Sequence, residues 1–351
     1  MARQPNTPVI EELRERILSG YYDHTAFLPS ERRLAEELNV GRGTIRIAIR
    51  ELQQENLLNR VSRRGICIVK ENKPPRLERI MIRCPNRLQR DAHEFFGLLS
   101  ALCLAASERF IEVVLTFPRC QSADIKDLTR RYRESNIHGI ISIEECEHLD
   151  ILKREGVPAV VVNIERPSEL VHCRVDFRTA GRIAGTYLLN AGHRRIGILT
   201  GNPANFIYKE MIAGFRGALA EEEVYLDQSF IVEVNLRNDP RSELRRLLSS
   251  QERPTAIFAT RDYRAEFIWQ TCRELNLKIP EDLSVIGYDN VSWAGAATEG
   301  LTTIIQPLEE LGSTALTLVS DYFEKGVPPE SVIITPQLIE RSSVKTLNLK
   351  D

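Results

Sequence analysis

No apolar run in this chain approaches the roughly 20 residues needed to cross a bilayer. The amino terminus lacks a basic-then-apolar leader. A cytoplasmic protein with no membrane partner is therefore expected. Seven cysteines (Cys67, Cys84, Cys103, Cys120, Cys146, Cys173, Cys272) are scattered without a CxxC pair, so no zinc ribbon or dithiol redox centre is written in. Apolar neighbours such as "ALCLAA" and "GICIV" favour buried, reduced thiols. Catalytic signatures are equally scarce: there is no P-loop, no HExxH and no GxSxG. The "GRG" at 41–43 is half of a GxGxxG and follows no strand, and His193 in "GHRRIG" has no Cys or Ser beside it. Neither an enzyme nor a metal or cofactor is expected. Net charge is only −2, so the chain as a whole does not advertise a polyanion partner.

What is present has two textures. The 351 residues, 42% apolar and 27% charged, suit a globular protein of two or three domains. Residues 1–70 carry 12 Lys+Arg against 9 Asp+Glu, a net of +3, while the rest carries 35 against 40. A mildly basic module ahead of an acidic body hints at nucleic-acid contact. Within "VIEELRERILS", Ile10, Leu13, Ile17 and Leu18 recur near helical spacing, and Gly20 closes the segment. Ser30 is placed to cap a helix that carries Leu34, Ala35 and Leu38. "NVGRG" reads as a turn, and the next helix sets Ile45, Ala48, Ile49 and Leu52 inward. Strands near 58–62 and 66–69 flank "SRRG". Helix, helix, tight turn, helix and β-wing make a winged helix-turn-helix over residues 1–70.

Arg42, Arg46 and Arg50 recur every four residues along that last helix. At about 100° per residue, Arg42 and Arg50 fall within about 40° of Arg46, and Ile45, Ile49 and Leu52 centre about a quarter turn away. The row is therefore predicted to be exposed beside the packed face, where guanidinium groups suit phosphates and guanine edges. A solvated face relieved by Glu51, Glu55 or water is the alternative for Arg46 and Arg50. Arg63 and Arg64 at the wing tip could reach an adjacent groove.

The stretch "LPSERRLAEELNVGRGTIRIAIRELQQENLL…RRG" resembles the GntR-type winged-helix domain. The resemblance implies that Arg32, Arg42, Thr44, Arg46 and the wing around Arg64 and Gly65 touch double-stranded operator DNA. Gly41 stands where Ser or Thr is usual, which removes one phosphate-contacting hydroxyl. Ile47 replaces a commonly polar residue and could pack on a thymine methyl.

"KENKPPRLER" is a charged, proline-bearing linker, placed at 71–78. Beyond it, Val- and Ile-rich runs alternate with helical segments, which argues for parallel sheets in an α/β fold with two lobes. "GVPAVVVNIE", "GHRRIG", "AGFRGAL", "IPEDLSVIGYDN" and "LTTIIQPLEELG" resemble the LacI/GalR regulators. That resemblance implies two Rossmann-like lobes of the periplasmic binding protein-like type I, spanning 79–345. Lobe 1 is expected at about 79–192 and 306–326, lobe 2 at about 193–305 and 330–345. A GntR-type head on a LacI-type body is the arrangement of arabinose-repressor-type regulators.

The same resemblance implies an effector between the lobes, with Asp289 in "VIGYDN" accepting hydrogen bonds from ligand hydroxyls. The family's ligand arginine position is Met211 here, flanked by Lys209 and Glu210. Arg261, in place of the family's Asn, could supply a guanidinium to the same cleft; a surface pairing with Asp262 or Glu266 is the alternative. Lys209 could substitute from another angle. Phe206, Tyr208 and Trp293 are candidates to stack on a sugar face, with packing as the alternative. The expectation is a homodimeric, sequence-specific transcriptional regulator, a repressor by family habit, controlled by a sugar or sugar derivative. An acidic ligand met by Arg261 and Lys209 stays open. The other reading is a solute-binding or carbohydrate-processing protein with an accessory basic head.

Overall fold

The computed structural model describes residues 7–347 apart from 20, 23–26, 56, 62–64, 69–76, 85–91, 118–120, 145–147, 163–167, 235–238 and 291–299. It divides into two compact units, Met1–Arg76 and Leu77–Asp351.

The first unit contains α1 (Thr7–Leu18), α2 (Glu31–Glu37), α3 (Arg42–Gln54), β1 (Leu58–Val61) and β2 (Gly65–Ile68). Ser30 caps α2, its side chain accepting the Arg33 N–H at 3.4 Å. The turn into α3 passes through Asn39 at φ +50°, a left-handed conformation that asparagine tolerates. Leu13, Leu34, Ile45, Ala48 and Leu52 meet in one fully buried core. β1 and β2 pair antiparallel, with Leu58 opposite Ile68 and Val61 opposite Gly65. Phe27 adds a bridge to Cys67.

The second unit runs β3 (Arg79–Arg83), α4 (Ala92–Glu108), β4 (Glu112–Thr116), α5 (Ser122–Glu134), β5 (Gly139–Ile143), α6 (Asp150–Arg154), β6 (Ala159–Val162), β7 (Val171–Val175), α7 (Phe177–Asn190) and β8 (Ile196–Thr200). It continues with α8 (Phe206–Glu221), β9 (Ile231–Glu233), α9 (Arg241–Leu248), β10 (Ala256–Ala259), α10 (Asp262–Glu274), β11 (Ser284–Asp289), β12 (Thr302–Ile305), α11 (Leu308–Lys325), β13 (Val332–Ile334) and β14 (Gln337–Ile339). Two six-stranded sheets result, ordered β13-β7-β6-β5-β3-β4 and β14-β12-β11-β10-β8-β9. All pairings are parallel except β12 with β14. Central strands such as β5, β6, β8 and β10 are buried on both faces, which is why they read as unbroken apolar runs.

The chain passes between the sheets three times: from β7 to α7, from β12 to α11, and from β13 to β14. Each passage leaves a parallel strand at its carboxyl end. Those ends therefore face the seam between the lobes, where open α/β sheets place ligands. Two expected lobe boundaries need correction. Helix α7, expected in lobe 1, packs on α8 and on β10 and β12 of the second sheet. β13, expected in lobe 2, pairs with β7 of the first sheet. The reason for the first lies in small residues. A Cβ on Gly181 would collide with the Met211 carbonyl, and one on Gly214 with that of Arg178, so α7 and α8 approach backbone to backbone. Met211, at the family's ligand-arginine position, is buried in that contact. Helix α11 packs conversely on β5, β6 and β7 of the first sheet and on α4.

His193 is buried at the entry to β8, with ring nitrogens 2.9 Å from Thr255 Oγ1 and 3.1 Å from the Lys345 carbonyl oxygen. Burial lowers its pKa to about 4, so it is neutral and tethers the carboxyl-terminal segment. Burial likewise raises the thiols of Cys84 to about 11 and of Cys173 and Cys272 to about 12, which keeps them protonated and inert. Cys120, Cys146 and Trp293 lie outside the described residues.

Candidate DNA-reading helix and effector seam

Helix α3 buries Ile45, Ala48, Ile49 and Leu52 and leaves Arg42, Arg46, Ile47 and Arg50 exposed. Thr44 is half-buried, and Ile47 keeps 41% of its surface in solvent. Gly41 caps α3 with no side-chain hydrogen bond, so the first-turn N–H groups of the helix carry no hydroxyl partner at that position. The partners of the arginines differ from those anticipated. Arg46 Nε donates to Glu31 Oε2 at 2.7 Å, across from α2, with 64% of its side chain exposed. Arg32 pairs with Glu36 at 3.0 Å on the same exposed helix. Glu55 is taken by Arg14 instead, at 2.6 Å, and its carboxyl is held below the usual carboxylate range by that bond. Gly65 opens β2 with φ +113°, a value glycine alone adopts without strain, and is exposed at the base of the wing. Arg63 and Arg64 lie outside the described residues.

In the body, the second sheet's strand ends gather polar groups: buried Thr200 at the end of β8, buried Thr260 and Arg261 after β10, half-buried Asp289 at the end of β11, and buried Gln306 after β12. Arg261 and Asp289 are brought together. Arg261 Nη1 donates to Asp289 Oδ1 at 2.8 Å, with 4% and 9% of the two side chains exposed. Gln306 Nε2 donates to the same oxygen at 2.8 Å. Arg261 is thus not a surface loop side chain: it takes part in a buried pair across two strand ends. Asp289 adopts φ +117°, outside the regions open to non-glycine residues without strain. Strain of this kind persists only where the surrounding structure over-determines the position, here with two donors on one carboxylate oxygen.

Tyr208, in the first turn of α8, accepts a hydrogen bond from Arg264 Nη2 at 2.8 Å. Phe206 starts α8, after Asn205 caps it with a bond from the Ile207 N–H, and lies 5.7 Å beneath the guanidinium of Arg174. Lys209 is exposed on the same helix. On the first sheet, Arg83 at the end of β3 is buried and donates to Ser142 Oγ at 2.9 Å and to the Glu144 carbonyl at 3.2 Å. Arg83, Arg264 and Gln306 were not singled out from sequence. Arg264 did leave a signal: with Ile268 and Thr271 it sits at i, i+4, i+7 on the apolar face of α10. Among the described residues, no three His, Cys, Asp or Glu side chains are grouped to hold a metal ion, and no helix is long and apolar enough to cross a membrane.

A winged head with an exposed basic helix, joined to two Rossmann-like lobes with polar strand ends at their seam, defines the class of transcriptional regulators that carry an effector-binding body. Known proteins agree. Residues 5–68 match the "Bacterial regulatory proteins, gntR family", and residues 186–344 match the "Periplasmic binding protein-like domain". The HTH-type transcriptional repressor PurR of Vibrio atlanticus is 31% identical over 232 residues, 64% of this chain and 69% of that one. The PurR of an Escherichia coli O1:K1 strain is 39% identical over 168 residues, and this chain spans about half its length (49%). A LacI family regulator from Enterococcus faecium, solved with bound ribose, superposes with a TM-score of 0.63 at 24% identity, over 76% of this chain and all of that one. The chain belongs to the LacI-type family of HTH transcriptional repressors, with a gntR-family head in front of the shared body.

Proposed function

We propose that this chain represses transcription by binding operator DNA through α3 and the wing, and that a small molecule held between the lobes controls that binding. The observation that carries this reading is the exposed row of Arg42 and Arg46 beside a fully packed helix face, on a member of this family. Arg42, Thr44 and Arg46 are assigned to phosphates and base edges, Ile47 to a thymine methyl, and Arg32, Arg64 and Gly65 to flanking backbone. The Arg46–Glu31 pair is solvent-exposed on the arginine side, so exchanging Glu31 for a phosphate loses at most about 1 kcal/mol.

In the body, Arg261, Asp289, Tyr208 and Phe206 are assigned to the effector, and Lys209 only to the rim. A carbohydrate or carbohydrate derivative is supported by the ribose-bound relative and by a regulator solved with cellobiose. Homodimerisation is supported by apolar side chains left in solvent on the first lobe: Phe96 and Leu104 on α4, and Leu115 and Phe117 on and beside the edge strand β4. Two heads on one dimer would read half-sites about one DNA turn, or a small multiple, apart. Ligand binding that favours one lobe arrangement shifts the heads between two states of different DNA affinity.

The test is to measure binding of the full chain to fragments upstream of its own gene, with and without each member of a sugar panel. The expected result is one fragment bound in the nanomolar range and released by one panel member. Binding to no fragment at low salt would refute the reading.

A further inference from the structure

The topology of the second sheet singles out one spot. From β8 the chain moves to β9 on one side, then returns to β10 on the other, so the crevice at the switch point opens between the carboxyl ends of β8 and β10. Gly201 follows β8 and Thr260 follows β10. The guanidinium of Arg264 spans the two. Its Nη1 donates to Thr260 Oγ1 at 3.0 Å and its Nη2 to Tyr208 Oη at 2.8 Å. A Cβ on Gly201 would stand 2.7 Å from Nη2 and 2.3 Å from Tyr208 Cε2, so glycine is what lets this arginine lie over the end of β8. The rings of Tyr208 and Tyr263 flank the charge, 4.5 and 5.0 Å from Cζ.

Arg264 is only 3% exposed, yet among the described residues its charge meets no carboxylate. A guanidinium has five N–H groups. Two of those on Arg264 have protein acceptors, both neutral hydroxyls, and Nε is buried with none. The contrast with Arg261 is direct, since that arginine has Asp289 at 2.8 Å. Nearby acids are engaged elsewhere. Asp289 Oδ1 receives both Arg261 and Gln306, and Asp262 Oδ1 receives the Thr303 hydroxyl at 2.7 Å. The helices α8 and α10, of 16 and 13 residues, begin at the same strand ends and direct their amino-terminal N–H groups there.

From this geometry we infer that the effector is an anion, a small molecule bearing a carboxylate or phosphate group, and that Arg264 receives that oxyanion. The inference rests on the cleft being the effector site and names the chemistry of its ligand. Arg264 thereby takes the part first considered for Arg261 and Lys209. Tyr208 holds the guanidinium in place and moves off it when the oxyanion arrives, because its hydroxyl occupies one of the N–H groups the anion needs.

The test melts the full chain in inorganic phosphate against chloride at matched ionic strength, then in D-glucose, D-glucuronate and D-glucose 6-phosphate. Phosphate and at least one charged sugar are expected to raise the melting temperature, and which one does so separates carboxylate from phosphate. Arg264→Gln is expected to weaken that response about ten- to a hundredfold, the range of one or two charge-assisted hydrogen bonds. Arg264→Lys keeps one positive charge with fewer donors and is expected to retain part of the response that Arg264→Gln loses, which keeps the test open if Arg264→Gln fails to fold. Melts that are identical in phosphate and chloride, or a shift by neutral glucose alone, would overturn the inference. Affinity for the upstream DNA fragment, measured in the same samples, separates this failure from failure of the regulator itself: a chain that binds the fragment and releases it with a neutral sugar stays a regulator with a neutral effector.

Discussion

Arginine works in opposite settings in the two units. On the head, Arg32 and Arg46 stand 74% and 64% exposed, each held by a carboxylate that water already screens. In the body, Arg83, Arg261 and Arg264 lie at strand ends with 3–4% exposure. The first setting makes charge easy to redirect, because exchanging one exposed partner for another changes little energy. The second makes every unmet N–H matter, because the interior does not solvate it. A protein proposed to contact DNA with its head and a small ligand with its body has reason to use both.

Breaking the buried pair should give the largest effect on stability. Arg261→Leu leaves Asp289 charged and buried with Gln306, and should destabilise the body by about 3–5 kcal/mol in urea unfolding. Arg261→Leu combined with Asp289→Leu should recover most of the loss. A single variant as stable as the parent would place the pair in solvent, against the contrast drawn above.

Acid should act next. The folded pKa of His193, about 4, lies below the ordinary value of 6.5, so the unfolded chain binds the extra proton between those values. Its contribution is complete above pH 6.5, falls as pH drops through that window, and is lost near pH 4, a total of roughly 3 kcal/mol. His193→Gln should flatten that part of the stability-against-pH curve.

Gly214→Ala should cost about 1–3 kcal/mol, because the new methyl meets the Arg178 carbonyl and separates α7 from α8. Fluorescence-detected melting suffices to check it. The head arginines should show the smallest stability effect. Arg42→Ala and Arg46→Ala should each change the melt by less than about 0.5 kcal/mol.

Much of this was legible in the chain. The winged helix could be read because α3 keeps Ile45, Ala48, Ile49 and Leu52 on one face, and local periodicity decides that face. The alternation of buried strands and helices likewise announced two α/β lobes. Periodicity does not say which sheet covers a helix, so it does not place α7 on the second sheet; the close approach at Gly181 and Gly185 does. Pairings that close long loops were out of reach for the same reason. Arg46 with Glu31 spans 15 residues, and Arg261 with Asp289 spans 28. Arg264 was overlooked because a charged residue in a helix is ordinarily read as solvated.

The most direct measurement of the central claim is fluorescence anisotropy of the upstream fragment, titrated with the full chain over a salt series. The parent chain should bind more weakly as salt rises, with a linear log–log slope set by its phosphate contacts. The variant carrying both Arg42→Ala and Arg46→Ala should bind at least about tenfold more weakly and with a shallower slope. An affinity and slope unchanged by the two substitutions would contradict the assignment of α3 as the DNA-reading element.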